Sequence, residues 1–443
     1  MDKEKLLEKV KKDNIKFVNL QFSDMMGIVK SVTIPVADLK EAVTKGVWFD
    51  GSSVEGYMRV HESDMYLMPD IKTYSVIPWF SSDEIKTARL ICDVYMPDGK
   101  PFKGDPRHIL KKVLKEAKEM GYIFNVGPEP EFFLFKRENG IKTLTHDVGG
   151  YFDLSMDRAF EIRAKMTNAL EKFGIKVETS HHEVAPGQHE IDFQYTDALT
   201  AADNVITFKF TLKAIANKYN LHATFMPKPI AGINGSGMHV HQSLADINTG
   251  KNKFFDPENE YKLSKLARHF VEGQLKNVKG MSAVLSPLVN SYKRLVPGYE
   301  APAYVCWARV NRSALIRIPG IPKGRGQSAR AELRCPDPSC NPYIAFAVML
   351  KAGLMGIKKE MKLRGPVEED VYEFDDDKLR QHYIEMLPGS LYEAIEEMKR
   401  SEVVKKTLGE ETFNKYLNTK KAEWDNYRLK VHQWEIDKYL TLY

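Results

Sequence analysis

Apolar and polar residues nearly alternate along IKFVNLQF at 15–22 and IVKSVTIP at 28–35, and ARLICDVY at 88–95 is equally rich in strand formers. A period of two puts successive side chains on opposite faces, so these runs predict strands. Turn-forming groups separate them, at Phe49-Asp50-Gly51-Ser52-Ser53 and Pro97-Asp98-Gly99. With a short amphipathic helix over 3–12, the first ~100 residues read as a small strand-rich domain. KPFKGDPR at 100–107 reads as a linker, and the period changes from Pro106. Ile109, Val113, Ala117 and Met120 form a helical stripe over 106–120. Strands are predicted at 122–126, 130–135, 176–182, 189–195, 222–226 and 238–244. Helices are predicted at 156–173, capped by Asp153 or Ser155, and through Val205, Phe208, Leu212, Ile215 and Tyr219. Asn341 and Pro342 suit the cap and first residue of the apolar helix that follows. The final ~55 residues read as helical and aromatic-rich, with Trp424, Tyr427, Val431 and Trp434 on one stripe.

The 443 residues suffice for two or three domains. Hydrophobic content of 43% and charged content of 28% are those of an ordinary globular protein. The net charge of +5 is well mixed, with no like-charged block to serve as a nucleic-acid arm or a disordered tail. Cys92, Cys306, Cys335 and Cys340 show no C-x-x-C spacing, which argues against a structural zinc site or a disulfide framework and fits a reducing compartment. The N-terminus lacks the apolar core of a signal peptide, and the most apolar stretch, 343–357, is short and holds Lys351. A cytoplasmic protein with no membrane or nucleic-acid partner is expected.

Three stretches place polar groups at i and i+2 on predicted strands, hence on one face. They are Glu129 and Glu131 in GPEPEFFLF, His239 and His241 in GMHVHQSL, and Glu332 and Arg334 in ARAELRCPDP. A fourth, HHEVAPGQHEIDF at 181–193, sets Glu183 and Glu190 on either side of a Pro186-Gly187 turn. Any one of these fits a solvated strand face. The apolar PEFFLF beside Glu129 and Glu131 does not fit an edge facing water. Burying so many carboxylates is costly unless cations neutralise them. Glu129, Glu131, Glu183, Glu190, Glu332 and His239 are mostly hard oxygen donors, which favours Mg²⁺ or Mn²⁺ over Zn²⁺ and two or more ions over one.

A second group of residues suits anions. NGSGMH at 234–239 lets backbone N–H groups approach a carboxylate. Arg294, Arg312 and Arg317 offer bidentate forks. No G-x-x-x-x-G-K-[ST] motif occurs. Arginine with divalent metal but no P-loop points to phosphoryl transfer on another fold. Pro297-Gly298 before Glu300 reads equally as a mobile loop or as a plain turn.

On these motifs the chain resembles type I glutamine synthetase over essentially its full length. The resemblance is carried by FDGSS at 49–53, GPEPEFF at 127–133, HHEVAPGQHEID at 181–192, FMPKPIAGINGSGMHVHQSL at 225–244, NRSALIRIP at 311–319 and RAELRCPDPSCNPY at 330–343. It implies an α+β fold: a small β-grasp domain over 13–99, then a catalytic domain over 106–443. The latter would have a mainly antiparallel curved sheet flanked by helices and a C-terminal helical clasp. It also implies a homododecamer of two stacked hexamers, with active sites between neighbouring subunits. The implied reaction joins ammonia to glutamate at the expense of ATP, through γ-glutamyl phosphate.

The resemblance also assigns roles. Glu131, Glu183 and Glu190 would hold one metal, and Glu129, His239 and Glu332 the second. Glu178, His241, Ser243, Arg312 and Arg317 would contact ATP. Asn234, Gly235 and Arg294 would take the amino-acid end of glutamate, with Arg312 and Arg334 at the transferred phosphoryl and the γ-carboxylate. Asp50 of a neighbouring subunit would bind ammonium, and Glu300 would close the site. GYMRVHESDMYL at 56–67 resembles the feedback-inhibited alpha-type branch. There Arg59 would serve inhibition by glutamine, and small nitrogen-regulatory proteins would be partners. Tyr372, in EEDVYEFDDD, lies where another branch is adenylylated, but its surroundings do not match and no adenylylation is expected. Two alternatives remain open: a ligase joining glutamate to a larger amine such as a polyamine, and a non-catalytic member kept as an assembly.

Overall fold

The computed structural model describes residues 2–54, 64–80, 82–138, 140–299, 301–311 and 313–443. The first sheet has five strands: β1 (Phe17–Ser23), β2 (Val29–Pro35), β3 (Val47–Asp50), β4 (Asp64–Val76) and β5 (Thr87–Tyr95). Their spatial order is β2-β1-β5-β4-β3, with β1 and β5 parallel at the centre and the other neighbours antiparallel. Helices Lys3–Lys12 and Leu39–Lys45 contribute Leu6, Val10, Leu39 and Val43 to a core shared with Val18, Leu20, Leu67 and Leu90. The sequence pattern missed β4. Met65, Tyr66, Leu67, Met68 and Pro69 follow one another without polar alternation, so only their burial alternates, and beyond Asp70 the pairing with β5 loses register.

The second sheet has ten strands: β6 (Tyr122–Arg137), β7 (Ile141–Thr145), β8 (Val177–His182), β9 (Gln188–Phe193), β10 (Thr196–Asp197), β11 (Leu221–Thr224), β12 (Met238–Asp246), β13 (Tyr304–Ala308), β14 (Ala314–Arg317) and β15 (Ala331–Leu333). The main path is β13-β14-β15-β12-β6-β9-β8 and is antiparallel except between β13 and β14. β6 is its spine. The two runs predicted at 122–126 and 130–135 are one sixteen-residue strand containing Pro128 and Pro130. Proline has no N–H to give a ladder, and the strand changes partners here. It pairs with β12 and β10 up to Pro130, and with β9, β11 and β7 from Glu131 onward.

One side of this sheet is apolar. Phe124, Val126, Phe132 and Leu134 of β6, Met238 and Val240 of β12 and Leu333 of β15 are buried in one large core. Helices Pro106–Glu119, Phe160–Lys172, Ala198–Lys218, Lys265–Leu285 and Pro342–Lys358 supply much of the rest of it. The helix expected over 156–173 begins at Phe160 without a side-chain cap. Asp153 instead accepts the Gly150 N–H, and Asp157 is engaged with Arg163. The C-terminal stripe is interrupted, because helix Glu410–Arg428 ends before Val431 and a separate helix, Gln433–Tyr439, follows. Among the described residues no helix is long and apolar enough to cross a membrane.

The stretch expected to be a linker ends in a buried ionic clamp. Asp105 caps helix Pro106–Glu119 and also accepts the Val94 N–H of β5. Buried Arg107 reaches Asp70 of β4 at 2.9 Å, Asp93 of β5 at 2.8 Å and Asp203 of helix Ala198–Lys218 at 3.0 Å. Tyr343 donates to the same Asp203 at 2.6 Å. One guanidinium thus ties the small sheet to the helical layer of the large one. Replacing it with an apolar side chain leaves carboxylates stranded, which costs about 3–5 kcal/mol. Arg107→Met should therefore lower the free energy of chemical unfolding by that amount, and an unchanged unfolding midpoint would contradict the clamp.

Candidate active site

The face of the large sheet opposite the core carries the chemistry, and strand register assembles it. His239 lies opposite Glu129, Glu190 opposite Glu131, and His181 opposite Glu190. Glu332 lies opposite His241, and Arg317 opposite Glu332. Period-two alternation does the rest: Phe132, Met238, Val240 and Leu333 go to the core, so Glu131, His239, His241 and Glu332 go to the other side. These residues come from distant parts of the chain and meet only because their strands are neighbours.

The cleft on this face is lined by Glu129, Glu131, Glu183, Glu190, His239, Glu332 and Arg334, with Asn234, Gly235, Arg294 and Arg317 beside them. Glu178 and Ser243 lie on β8 and β12 outside this lining, as does His241. Asp50 ends β3 in the small domain, is exposed, accepts the Ser52 N–H at 2.8 Å and does not line the cleft of its own chain. Arg59, Glu300 and Arg312 fall outside the described residues.

Two groups of carboxylate and imidazole atoms lie close enough to share an ion: His181 with Glu183 and Glu190, and Glu129 with His241 and Glu332. Each differs by one residue from the set expected from sequence. Glu131 is turned toward the Gln188 side-chain amide at 2.8 Å and the Gly237 N–H at 2.9 Å, while His181 lies 3.2 Å from Glu190. His241 sits 2.8 Å from Glu129 and accepts from Arg330 on its other nitrogen at 3.2 Å. His239 remains beside the second group, 3.5 Å from Glu332.

The two ends of the cleft differ electrostatically. Burial, then the charge of Glu183, pushes Glu131 up to about 8. Burial also drives Glu190 well above the ordinary carboxylate range, reinforced by Asp192, Glu131, Glu129 and Glu183. At the other end burial would raise Glu332, but His241, His239, Arg334 and Arg317 outweigh it and hold the group at about 2. Arg317 pairs directly with Glu332, and Arg334 lies 3.4 Å from it. Burial and the Arg334 charge push His239 well below its usual range, so it is neutral, the form that ligates metal. An end where burial and neighbouring carboxylates outweigh the cations of the described residues, and a donor set of oxygens with one or two imidazoles, fit Mg²⁺ or Mn²⁺.

The glycine-rich segment serves close approach. A Cβ on Gly235 would lie 2.2 Å from the Pro227 carbonyl oxygen, and one on Gly237 would lie 2.6 Å from Arg294 Nη2. Buried Arg294 donates to the carbonyls of Arg334 at 3.0 Å, Cys335 at 3.0 Å and Pro336 at 3.3 Å, which fixes its fork beside Glu131. Three polar lining residues escaped the sequence reading. Gln188 holds Glu131. Tyr151 stacks on Phe152 with centroids 3.9 Å apart and edges onto His181. Tyr299 lies over the Lys228 ammonium at 4.0 Å. The two tyrosines sit in irregular segments, where periodicity carries no signal.

The chain matches two family models: "Glutamine synthetase, beta-Grasp domain" over residues 14–97 and "Glutamine synthetase, catalytic domain" over 103–439. It is 52% identical to a glutamine synthetase of Clostridium saccharobutylicum, with 100% of this chain and 99% of the relative covered. It is 51% identical to a glutamine synthetase of Thermus thermophilus, with the same coverage. A solved GmaS/ADP complex superposes with a TM-score of 0.89 at 31% identity, covering 98% of this chain and 99% of that one.

Metal ligation requires carboxylates, and Glu131, at about 8, is mostly protonated at pH 7, so a divalent ion held by it would have to displace that proton. That value lies above the ordinary 4.5, so the stability Glu131 lends the metal-free protein is present below pH 4.5 and lost as pH rises through 8. Mn²⁺ titrated calorimetrically at pH 7 in two buffers of different ionisation enthalpy should release at least one proton, and affinity should rise toward pH 8. Equal apparent enthalpies in the two buffers would contradict this.

Proposed function

The chain belongs to the glutamine synthetase family, and on that premise we propose how its residues serve the reaction: ATP-dependent joining of ammonia to the γ-carboxylate of L-glutamate. The products are L-glutamine, ADP and phosphate, formed through γ-glutamyl phosphate, and the reaction assimilates nitrogen. The observation that carries these assignments is the row of carboxylates and imidazoles across β8, β9, β6, β12 and β15, flanked by Arg317 and Arg334.

Glu131, Glu183 and Glu190 would hold one Mg²⁺ or Mn²⁺, and Glu129, His239 and Glu332 the second. Bound there, the ions would supply the positive charge that phosphate oxygens need beside an acidic wall. Glu178, His241, Ser243, Arg312 and Arg317 contact the nucleotide. The ADP in the GmaS relative supports a nucleotide site on this fold. Asn234, Gly235 and Arg294 receive the amino-acid end of glutamate. A carboxylate is a poor electrophile, and transfer of the γ-phosphoryl group converts it into an acyl phosphate. Arg312 and Arg334 stabilise the charge that moves in that step. Ammonium is held by Asp50 of a neighbouring subunit, which takes its proton, and the freed ammonia displaces phosphate. Glu300 closes over the site and keeps water from the acyl phosphate.

We further assign residues 13–99 to the β-grasp domain and 106–443 to the catalytic domain with its clasp. The exposed Leu429, Val431, Trp434, Leu440 and Leu442 suit burial between subunits, in line with a homododecamer of two stacked hexamers. The buried, free cysteines suit the cytoplasm. We place the chain in the type I, feedback-inhibited alpha-type branch, with Arg59 serving inhibition by glutamine and small nitrogen-regulatory proteins as partners. Tyr372 donates its hydroxyl to the Ala301 carbonyl at 2.6 Å, and adenylylation is not expected there.

The test is phosphate release from ATP with Mg²⁺ and glutamate, comparing ammonium with methylamine and putrescine. Ammonium should drive turnover, and Asp50→Ala should lower it by about 10²-fold or more, the usual worth of a positioned base. Turnover driven by a larger amine but not by ammonium would transfer the protein to the γ-glutamyl-amine ligases.

A further inference from the structure

Behind the acidic end of the cleft lies a buried polar network that touches no expected substrate. His182 and His189 pair across β8 and β9 on the core side, their rings 4.7 Å apart. Asp147 sits at the centre, its side chain fully enclosed. One of its oxygens accepts from His182 Nε2 at 2.9 Å and from the Gly187 N–H at 3.0 Å, and the other accepts the Arg158 N–H at 3.1 Å. His182 donates through Nδ1 to the Glu183 carbonyl at 2.6 Å. Gly187 precedes Gln188, whose amide donates to Glu131 at 2.8 Å and to the Gly235 carbonyl at 3.1 Å. Arg163 braces the other imidazole, donating to His189 Nδ1 at 3.1 Å, to Asp157 at 2.8 and 2.6 Å and to Ser180 Oγ at 3.0 Å.

Asp147, His182 and His189 lie close enough together to suggest a metal site of their own. The hydrogen bonds argue otherwise. Both nitrogens of His182 are already engaged, and a guanidinium occupies one nitrogen of His189. What the network does reach is the connection from β8 to β9. A single carboxylate grips both ends of that connection: through His182 it fixes the backbone of Glu183, and through the Gly187 N–H it sets Gln188, which aims Glu131.

We propose that Asp147 is a positioning residue for the metal held by Glu131, Glu183 and Glu190, acting from the core side of the sheet through His182 and Gly187. The inference rests on the metal assignment above. Partners of this kind orient ligands and are worth about 10–100-fold in metal affinity. Asn in place of Asp147 keeps the shape but removes the negative charge that both arms share, and sets an NH₂ against either the Arg158 N–H or the His182 and Gly187 donors, so the grip loosens.

The experiment uses the assembled full-length protein and Mn²⁺ alone, with free Mn²⁺ counted by electron paramagnetic resonance. Asp147→Asn should weaken the tighter class of Mn²⁺ sites about 10–100-fold. Saturating Mn²⁺ should recover most of kcat, which damage to the fold would not allow. Glu183→Gln is the reference for the ligand assignment. If Glu183→Gln loses the site and an assembled Asp147→Asn binds Mn²⁺ like the wild type, the positioning role is overturned and the metal assignment stands. If Glu183→Gln itself binds like the wild type, the assignment falls and the inference with it. Should Asp147→Asn fail to assemble, His182→Gln, which breaks the same arm, is read by the same criteria.

Discussion

The structure is organised around gathering carboxylates on one face of a sheet. Like charges held that close and that far from water oppose folding unless something neutralises them. Two remedies are built in at the two ends of the cleft. Glu332 has Arg317, Arg334 and two histidines around it and stays ionised. At Glu131 burial and the Glu183 charge outweigh Arg294 and Arg334, at Glu190 burial is joined by four neighbouring carboxylates, and both groups retain protons instead. The unrelieved end is where an added divalent ion gains most. A protein that neutralised all of its own carboxylates would leave little for metal or substrate to do.

Alternation makes this arrangement affordable. Every strand in the row gives one residue to the cleft and the next to the core, so the most polar and most apolar surfaces of the molecule are separated by the thickness of one sheet. Glu131 and Phe132, His239 and Val240, and Glu332 and Leu333 are such neighbours. The exception is at His182 and His189, where the core side is itself polar. There the β8–β9 connection needs anchoring more than it needs apolar burial, and Asp147, Arg163 and Asp157 supply it.

The Arg107 clamp fixes the small sheet against the helical layer. Asp50 is then carried at the end of β3 with its carboxylate outside its own chain's cleft. A residue so placed can complete an active site only by facing another copy, which links the chemistry to assembly.

Much of this was legible in the sequence. The i, i+2 spacing of Glu129 with Glu131 and of His239 with His241 is a property of neighbouring residues, and a strand's period fixes that they share a face. The hardness of the donors gave the class of metal, and the absence of a P-loop excluded the commonest phosphate cradle. Register could not be read. Whether Glu190 faces Glu131, or Arg317 faces Glu332, depends on which strands pair and in what alignment, and long-range packing decides both. The same limit explains why 100–107 read as a linker: the three carboxylates that make Arg107 a clamp come from two strands of the small sheet and from a helix of the large domain. Tyr151 and Asp147 sit in irregular segments, where no period exists, and Gln188, at the start of β9, matters through a contact that pairing with β6 sets up. The sequence by itself determined which residue types share a strand face and what chemistry they suit. Tertiary structure alone decided which faces meet, because side-chain direction is local whereas strand pairing is settled by the free energy of the whole core.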